Sequence, residues 1–251
     1  MIISDSRHKV FCHIPKNGGS SLRAYFAGQW EDSRAYQGRR EIAAGEAAPR
    51  TRDLTHITPA EAAAFFGDDL VGEGYTITAV IRPPIPRFSS ALLQYIRTFA
   101  AQDKNFVTAK TVQRIMQGTS VEALCAAARE DHRHIHLRPQ VDFVADVPEA
   151  QRDLILIGDL SRRFPDLPVD NPGGSLPGWM SFMRHPVIKR VAGRMGKAAK
   201  DGISRRLIRK DPQVKEAIET VTAANMAFLA EFYAEDQALH DTLAQKARTA
   251  A

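Results

Sequence analysis

Between Lys9 and Phe26 the chain reads KVFCHIPKNGGSSLRAYF, and side chains able to do chemistry crowd into this one stretch. Lys16 is a mobile cation, Gly18 and Gly19 permit backbone angles that other residues resist, and Ser20 and Ser21 stand where helix caps belong. A loop of this make-up ahead of a helix aims several N–H groups and the positive end of the helix dipole at one point. That suits a phosphate or sulfuryl group. Arg82 offers a forked cation behind a second strand-like run, and Ser90 adds a hydroxyl from the helix that follows. For taking a proton from a hydroxyl near neutral pH an imidazole has the right intrinsic pKa, and His56 is one candidate. His13, Glu61 and the group His132, His134 and His136 compete with it. The loop of ordinary kinases and GTPases, GxxxxGK[ST], is absent, because Lys16 precedes the glycines and no lysine follows them.

Each of these groups needs an element to hold it. Val10, Phe11, Cys12 and Ile14 form a compact apolar run that Pro15 stops, which predicts a short buried strand before the glycine loop. Thr58, Pro59 and Glu61 predict a capped helix over AEAAAFF that ends near Gly67, placing His56 just ahead of it. The run YTITAVI, Tyr75 to Ile81, is the strongest strand in the sequence and should lie centrally, with Arg82 at its end and PPIP as a rigid turn. Phe88, Leu92, Tyr95, Ile96 and Phe99 then share one helical face. Glu31 to Arg52 reads as a connecting loop, Lys104 to Arg129 as helix, Asp153 to Asp159 as a strand, and FLAEFYAEDQAL as part of a final amphipathic helix. Alternating strands and helices predict an α/β fold: one domain over residues 1–251, with a mainly parallel central sheet flanked by helices in three layers.

The wording of the first loop resembles the HIPKTGGTS loop of sulfotransferases related to the carbohydrate O-sulfotransferases, and IRPPIPRFSSAL resembles that family's VRDPVERFISAY segment. HLRPQ is similar to its HWRPQ, ILIGDL with LSRRF to its IGRFENLEEDF, and FLAEFYAEDQALHDTL to its closing YAEDYELF. The resemblance implies a P-loop-like fold, 3′-phosphoadenosine 5′-phosphosulfate (PAPS) as donor, and no metal. It implies that Lys16 with Asn17, Gly18, Gly19, Ser20 and Ser21 holds the 5′-phosphate, Lys16 stabilising it as it leaves. Arg82 and Ser90 fall on the residues that grip the 3′-phosphate, Arg138 and Gln140 on positions that contact donor or acceptor, and His56 where a catalytic histidine can stand. The implied reaction moves a sulfuryl group to a hydroxyl of a carbohydrate, a glycolipid or a similar lipid-linked acceptor. Asn17 departs from the family's Thr or Ala, Ser20 from its Thr, Pro83 from its aspartate, and Asp159 and Ser161 from the Arg and Glu of IGRFE.

The chain has 251 residues with 44% hydrophobic content, enough for a sizeable core. Its two cysteines, Cys12 and Cys125, lie in apolar runs without metal-ligand spacing, and neither a signal peptide nor a membrane span is read in the sequence, so the expected setting is the cytoplasm. A net charge of +5 and a pI near 9.3 fit an anionic ligand or surface. The basic, amphipathic segment 176–212 is expected to contact anionic lipid peripherally, at the inner face of the membrane, or an acidic acceptor. Nucleic acid is not an expected partner, since no reading module or stacking platform accompanies the charge. The alternatives are a non-catalytic binder of a polyanion or membrane surface and, behind it, a nucleotide-dependent kinase.

Overall fold

The structure is a computed structural model and describes residues 1–43, 49–101, 107–167 and 211–249. It is a mixed α/β fold whose five-stranded sheet is mostly parallel and flanked by helices. Strands β1 (Ile2–Ser4), β2 (Lys9–Phe11) and β3 (Arg34–Ala35) join β6 (Thr76–Ile81) and β7 (Arg152–Leu156) in the order β3-β1-β2-β6-β7. Four strands point the same way and β1 opposes its neighbours. In the parallel core Val10 faces Ile77 and Ala79 faces Leu154.

Alternation along the strands decides what each face buries. Ile3, Val10, Cys12, Ile77, Ala79 and Ile81 enter one cluster, against helix α2 (Pro59–Phe66) and the partly buried Leu239 and Leu243 of the last helix. Ile2, Phe11 and Val80 enter another, against Leu22 and Phe26 of α1 (Gly19–Gln29). Phe26 packs there among Phe11, Trp30 and Phe164, with ring centroids 5.1, 4.6 and 5.5 Å away. A third cluster is helical. It joins α3 (Pro84–Tyr95), α4 (Ala109–Gln117) and α5 (Val121–Ala126) to α7 (Pro212–Ala224) and α8 (Met226–Phe232); α6 (Leu160–Arg163) and α9 (Ala234–Thr249) complete the helices described.

Several expectations are corrected in detail. Part of the stretch read as a loop forms an antiparallel ribbon of β4 (Arg39–Ile42) and β5 (Arg50–Asp53), whose charged, at most half-buried strands show no apolar alternation to betray them. PPIP is not a turn outside the helix: α3 begins at Pro84, where a missing N–H costs nothing. The 104–129 helix is two, capped separately by Thr108 and Ser120, and Phe106 lies outside the described residues. The final helix is broken at Asn225 and Tyr233 into α7, α8 and α9. Of the basic segment 176–212 only Asp211 and Pro212 are described, as cap and first residue of α7. Among the described residues no helix is long and apolar enough to cross a membrane.

Candidate functional site

The glycine loop connects β2 to α1 by two left-handed residues, Lys16 at φ 69° and Gly18 at φ 79°. Glycine adopts that geometry freely, whereas at Lys16 it costs about 1 to 2 kcal/mol and must be held by its surroundings. The cap of α1 is therefore Gly18, and Ser20 and Ser21 lie inside the first turn rather than at the cap. That turn carries no acidic residue, so the N–H groups of Gly19, Ser20 and Ser21 present an uncompensated positive end. Gly19 is required for space: a Cβ there would lie 1.8 Å from the His13 ring.

Arg82 follows the last residue of β6, where ligands of open α/β sheets bind. Its Nη1 donates to the Lys16 carbonyl at 3.1 Å, which ties the two loops together and supports the left-handed turn. Lys16, Arg82 and Ser90 line one cleft of about 610 Å³, in the usual range for small-molecule sites. Its walls are α3 and α7, and among the described residues it also holds Arg97, Lys215 and one acid, Glu219, which pairs with Lys215 at 3.3 Å. The structure thus brings Lys16, Arg82 and Ser90 to one cavity. His56 is not among its lining residues.

Beneath the loops lies a buried polar frame. Gln140 is fully buried: its amide oxygen accepts from the Arg82 N–H at 3.0 Å, and its amide nitrogen donates to the Arg82 carbonyl at 2.8 Å. Asn17, also buried, donates to the same Gln140 oxygen and to the Val80 carbonyl. Asp236, at the start of α9, accepts from the backbone N–H groups of Gln140 and Val141 at 2.9 Å each, while burial pushes its carboxyl up. Arg87 donates to the carbonyls of Pro15, His136 and Arg138, and burial lowers its pKa. Arg138 is largely covered, pairs with Glu61 at 3.0 Å and Asp142 at 3.3 Å, and stacks over Phe143. Gln140 thus braces the Asn17 and Arg82 loops from below, while the Arg138 side chain is held by Glu61 and Asp142. The sequence assigned none of this frame to Asp236, whose partners lie some ninety residues away.

Three imidazoles cluster behind the glycine loop. His56 Nδ1 lies 2.9 Å from the His13 carbonyl, and a carbonyl only accepts, so Nδ1 carries the proton and Nε2 is the bare nitrogen. The ring centroids of His13 and His136 lie 4.5 and 5.2 Å from that of His56. Burial lowers the pKa of His56 to about 4 and those of His13 and His136 well below 6.5. All three are neutral at physiological pH, the form a base needs. Thr58 and Glu61 form the expected capping box, which fixes the approach of the His56 turn to α2.

Both cysteines are buried free thiols, Cys12 lifted by burial to about 12. Among the described residues no group of three or more histidine, cysteine, aspartate and glutamate side chains is placed to hold a metal ion. Comparison with protein-family models, with curated proteins and with solved structures gives no match.

Proposed function

We propose that this chain is a PAPS-dependent O-sulfotransferase with a P-loop-like α/β fold. The observation that carries the proposal is the convergence of Lys16 and Arg82, from loops 66 residues apart, on one cleft with the Arg82 guanidinium bonded to the Lys16 carbonyl. Lys16, Arg82 and Ser90 bring cations and a hydroxyl to the cleft, and the acid-free first turn of α1, which is not part of the cleft's lining, begins three residues after Lys16; such groups suit an adenosine bisphosphate. Lys16 and the N–H groups from Asn17 to Ser21 would hold the 5′-phosphate, and Arg82 and Ser90 the 3′-phosphate. When bound, the donor supplies an activated sulfuryl group on a phosphate leaving group.

The residues of the chain supply the rest. Lys16 and the first turn of α1 neutralise charge that builds on the departing phosphate, an effect strongest in a site that excludes water. Gln140, Asn17 and Arg87 tie the loops together and hold them in register for the donor. The base proposed for the acceptor hydroxyl is His56, whose bare Nε2 is the accepting atom and which stands behind the glycine loop, outside the cleft lined by Lys16 and Arg82. The acceptor belongs to the class of carbohydrates, glycolipids and similar hydroxyl compounds. Contact of the basic segment with anionic lipid remains part of the proposal, on the sequence alone.

Purified protein incubated with PAPS and a panel of sugars and glycolipids should give a sulfated product and PAP in equal amounts. PAP binding without product on any acceptor would favour the non-catalytic alternative. Magnesium-dependent ATP turnover in place of sulfation would favour the kinase.

A further inference from the structure

Phosphate-binding groups are only part of the cleft. Lys16 and Arg82 enter it from the two loops, and the rest of its described lining comes from α3, its continuation to Arg97, and α7, with Met226 at the start of α8. Ser90, Leu93, Gln94 and Arg97 recur at helical spacing, so one face of this helix runs along the cleft. Gln94 stands one turn, about 6 Å of rise, beyond the Ser90 hydroxyl. The opposite wall is held in place by the Ser89 and Thr222 hydroxyls, 3.1 Å apart across the two helices.

Three features of this part of the cleft fit a flat ring with a polar edge. Ile85, Leu93 and Ile218 give it apolar surface between the two helices. Met226 is 42% exposed, one of two large hydrophobic side chains so exposed among the described residues. The other, Phe66, lies stacked on Tyr36, whereas Met226 lines the cleft with an unbranched thioether able to follow a ring face. The third feature is the Gln94 amide. Its Nε2 donates to the Thr98 hydroxyl at 2.7 Å, which commits the donor side and leaves Oε1 to accept from a ligand.

We propose that the α3–α7 wall of the cleft is a base site that selects adenine, in which Gln94 Oε1 accepts from the 6-amino group and Met226 covers the ring. The proposal rests on the sulfotransferase reading and deepens it, since it names the residues that choose the nucleotide once the phosphates are held. The selection follows from hydrogen-bond polarity. Adenine offers a donor at position 6, while guanine offers a carbonyl oxygen there, and two acceptors facing each other leave both without a partner. Arg82 and Ser90 meet only phosphate in this reading and do not distinguish the bases.

The test is titration calorimetry of the full chain with three probes: PAP, guanosine 3′,5′-bisphosphate, and methyl riboside 3,5-bisphosphate, which has both phosphates and no base. Wild type should bind PAP about 10-fold or more tighter than the guanosine compound. Gln94→Leu should bind the two nucleotides alike and the riboside as wild type does. Met226→Ala should weaken both nucleotides roughly 5- to 10-fold and leave the riboside unchanged, as loss of contact with a base requires. Equal affinity of wild type for the two nucleotides, or a preference for adenine that survives in Gln94→Leu, overturns the inference and leaves the phosphate clasp standing. So does a Gln94→Leu variant that weakens the riboside as much as the nucleotides, because the side chain then acts through the fold. If Gln94→Leu melts early, Gln94→Met replaces it, keeping the length of the side chain without the accepting oxygen. Wild-type protein that binds none of the three probes ends both readings.

Discussion

Acid should weaken this fold through its buried histidines before it titrates ordinary carboxylates, and His56 gives the effect a size. Its pKa falls from 6.5 to about 4 on folding, with burial the largest cause. Between those values the unfolded chain binds a proton that the folded chain does not, so stability falls as pH is lowered. The contribution is complete above pH 6.5 and lost by about pH 4. A displacement of about 2.5 units at 1.36 kcal/mol each is about 3 kcal/mol from this one ring. That is a substantial part of the 5 to 15 kcal/mol typical of a domain. His13 and His136 act in the same direction. Asp131, whose pKa lies near 2, adds its loss only at still lower pH, and Asp236, whose pKa is raised, acts with the opposite sign. The assay is urea unfolding at a series of pH values between about 7.5 and 4.5, comparing wild type with His56→Asn, whose amide can still donate to the His13 carbonyl. Subtracting the two curves removes the carboxylates. The difference should have a slope approaching one proton per molecule between pH 6 and 5, and parallel curves would refute the assignment of His56 as a buried neutral imidazole.

Other consequences can be checked with the same preparations. Gly19→Ala drives a methyl group to within 1.8 Å of the His13 ring, so thermal unfolding should show a loss of about 1 to 3 kcal/mol and PAP affinity should fall with it. Gln140→Leu fills the volume but leaves the Arg82 N–H without its acceptor, and should cost about 2 to 4 kcal/mol in urea unfolding. The same variant should weaken PAP because Arg82 loses its brace. Thr58→Ala removes one arm of the capping box and should cost about 1 kcal/mol, with no change in PAP affinity.

What could be read from the sequence was local. The box at Thr58 and Glu61 and the Gly67 stop are fixed by residues within one or two turns of each other, and they stand as expected. β6 announces itself because both its faces are buried, leaving five successive covered residues. What stayed hidden was set by contacts distant in sequence. Ser20 and Ser21 have the chemistry of caps, but the left-handed Gly18 takes that position, because Lys16 and Gly18 turn the chain before the serines are reached. Arg87 carries a forked cation in sequence, but its N–H groups donate to carbonyls 49, 51 and 72 residues away, which nothing near it announces. Gln140 is buried by β6, Asn17 and Asp236 together, and no pattern in its own neighbourhood foretells that. The charged strands β4 and β5 lack the apolar alternation that would have marked them in sequence.

The central claim is that Lys16 and Arg82 clasp opposite ends of an adenosine 3′,5′-bisphosphate. Titration calorimetry of PAP into wild type, Lys16→Ala and Arg82→Ala tests it without knowledge of the acceptor. Saturable binding at one site is predicted for wild type, with each substitution weakening it roughly 10- to 100-fold, the scale of a lost charge-assisted hydrogen bond. Absence of PAP binding, or binding that both variants retain at full strength, would contradict it.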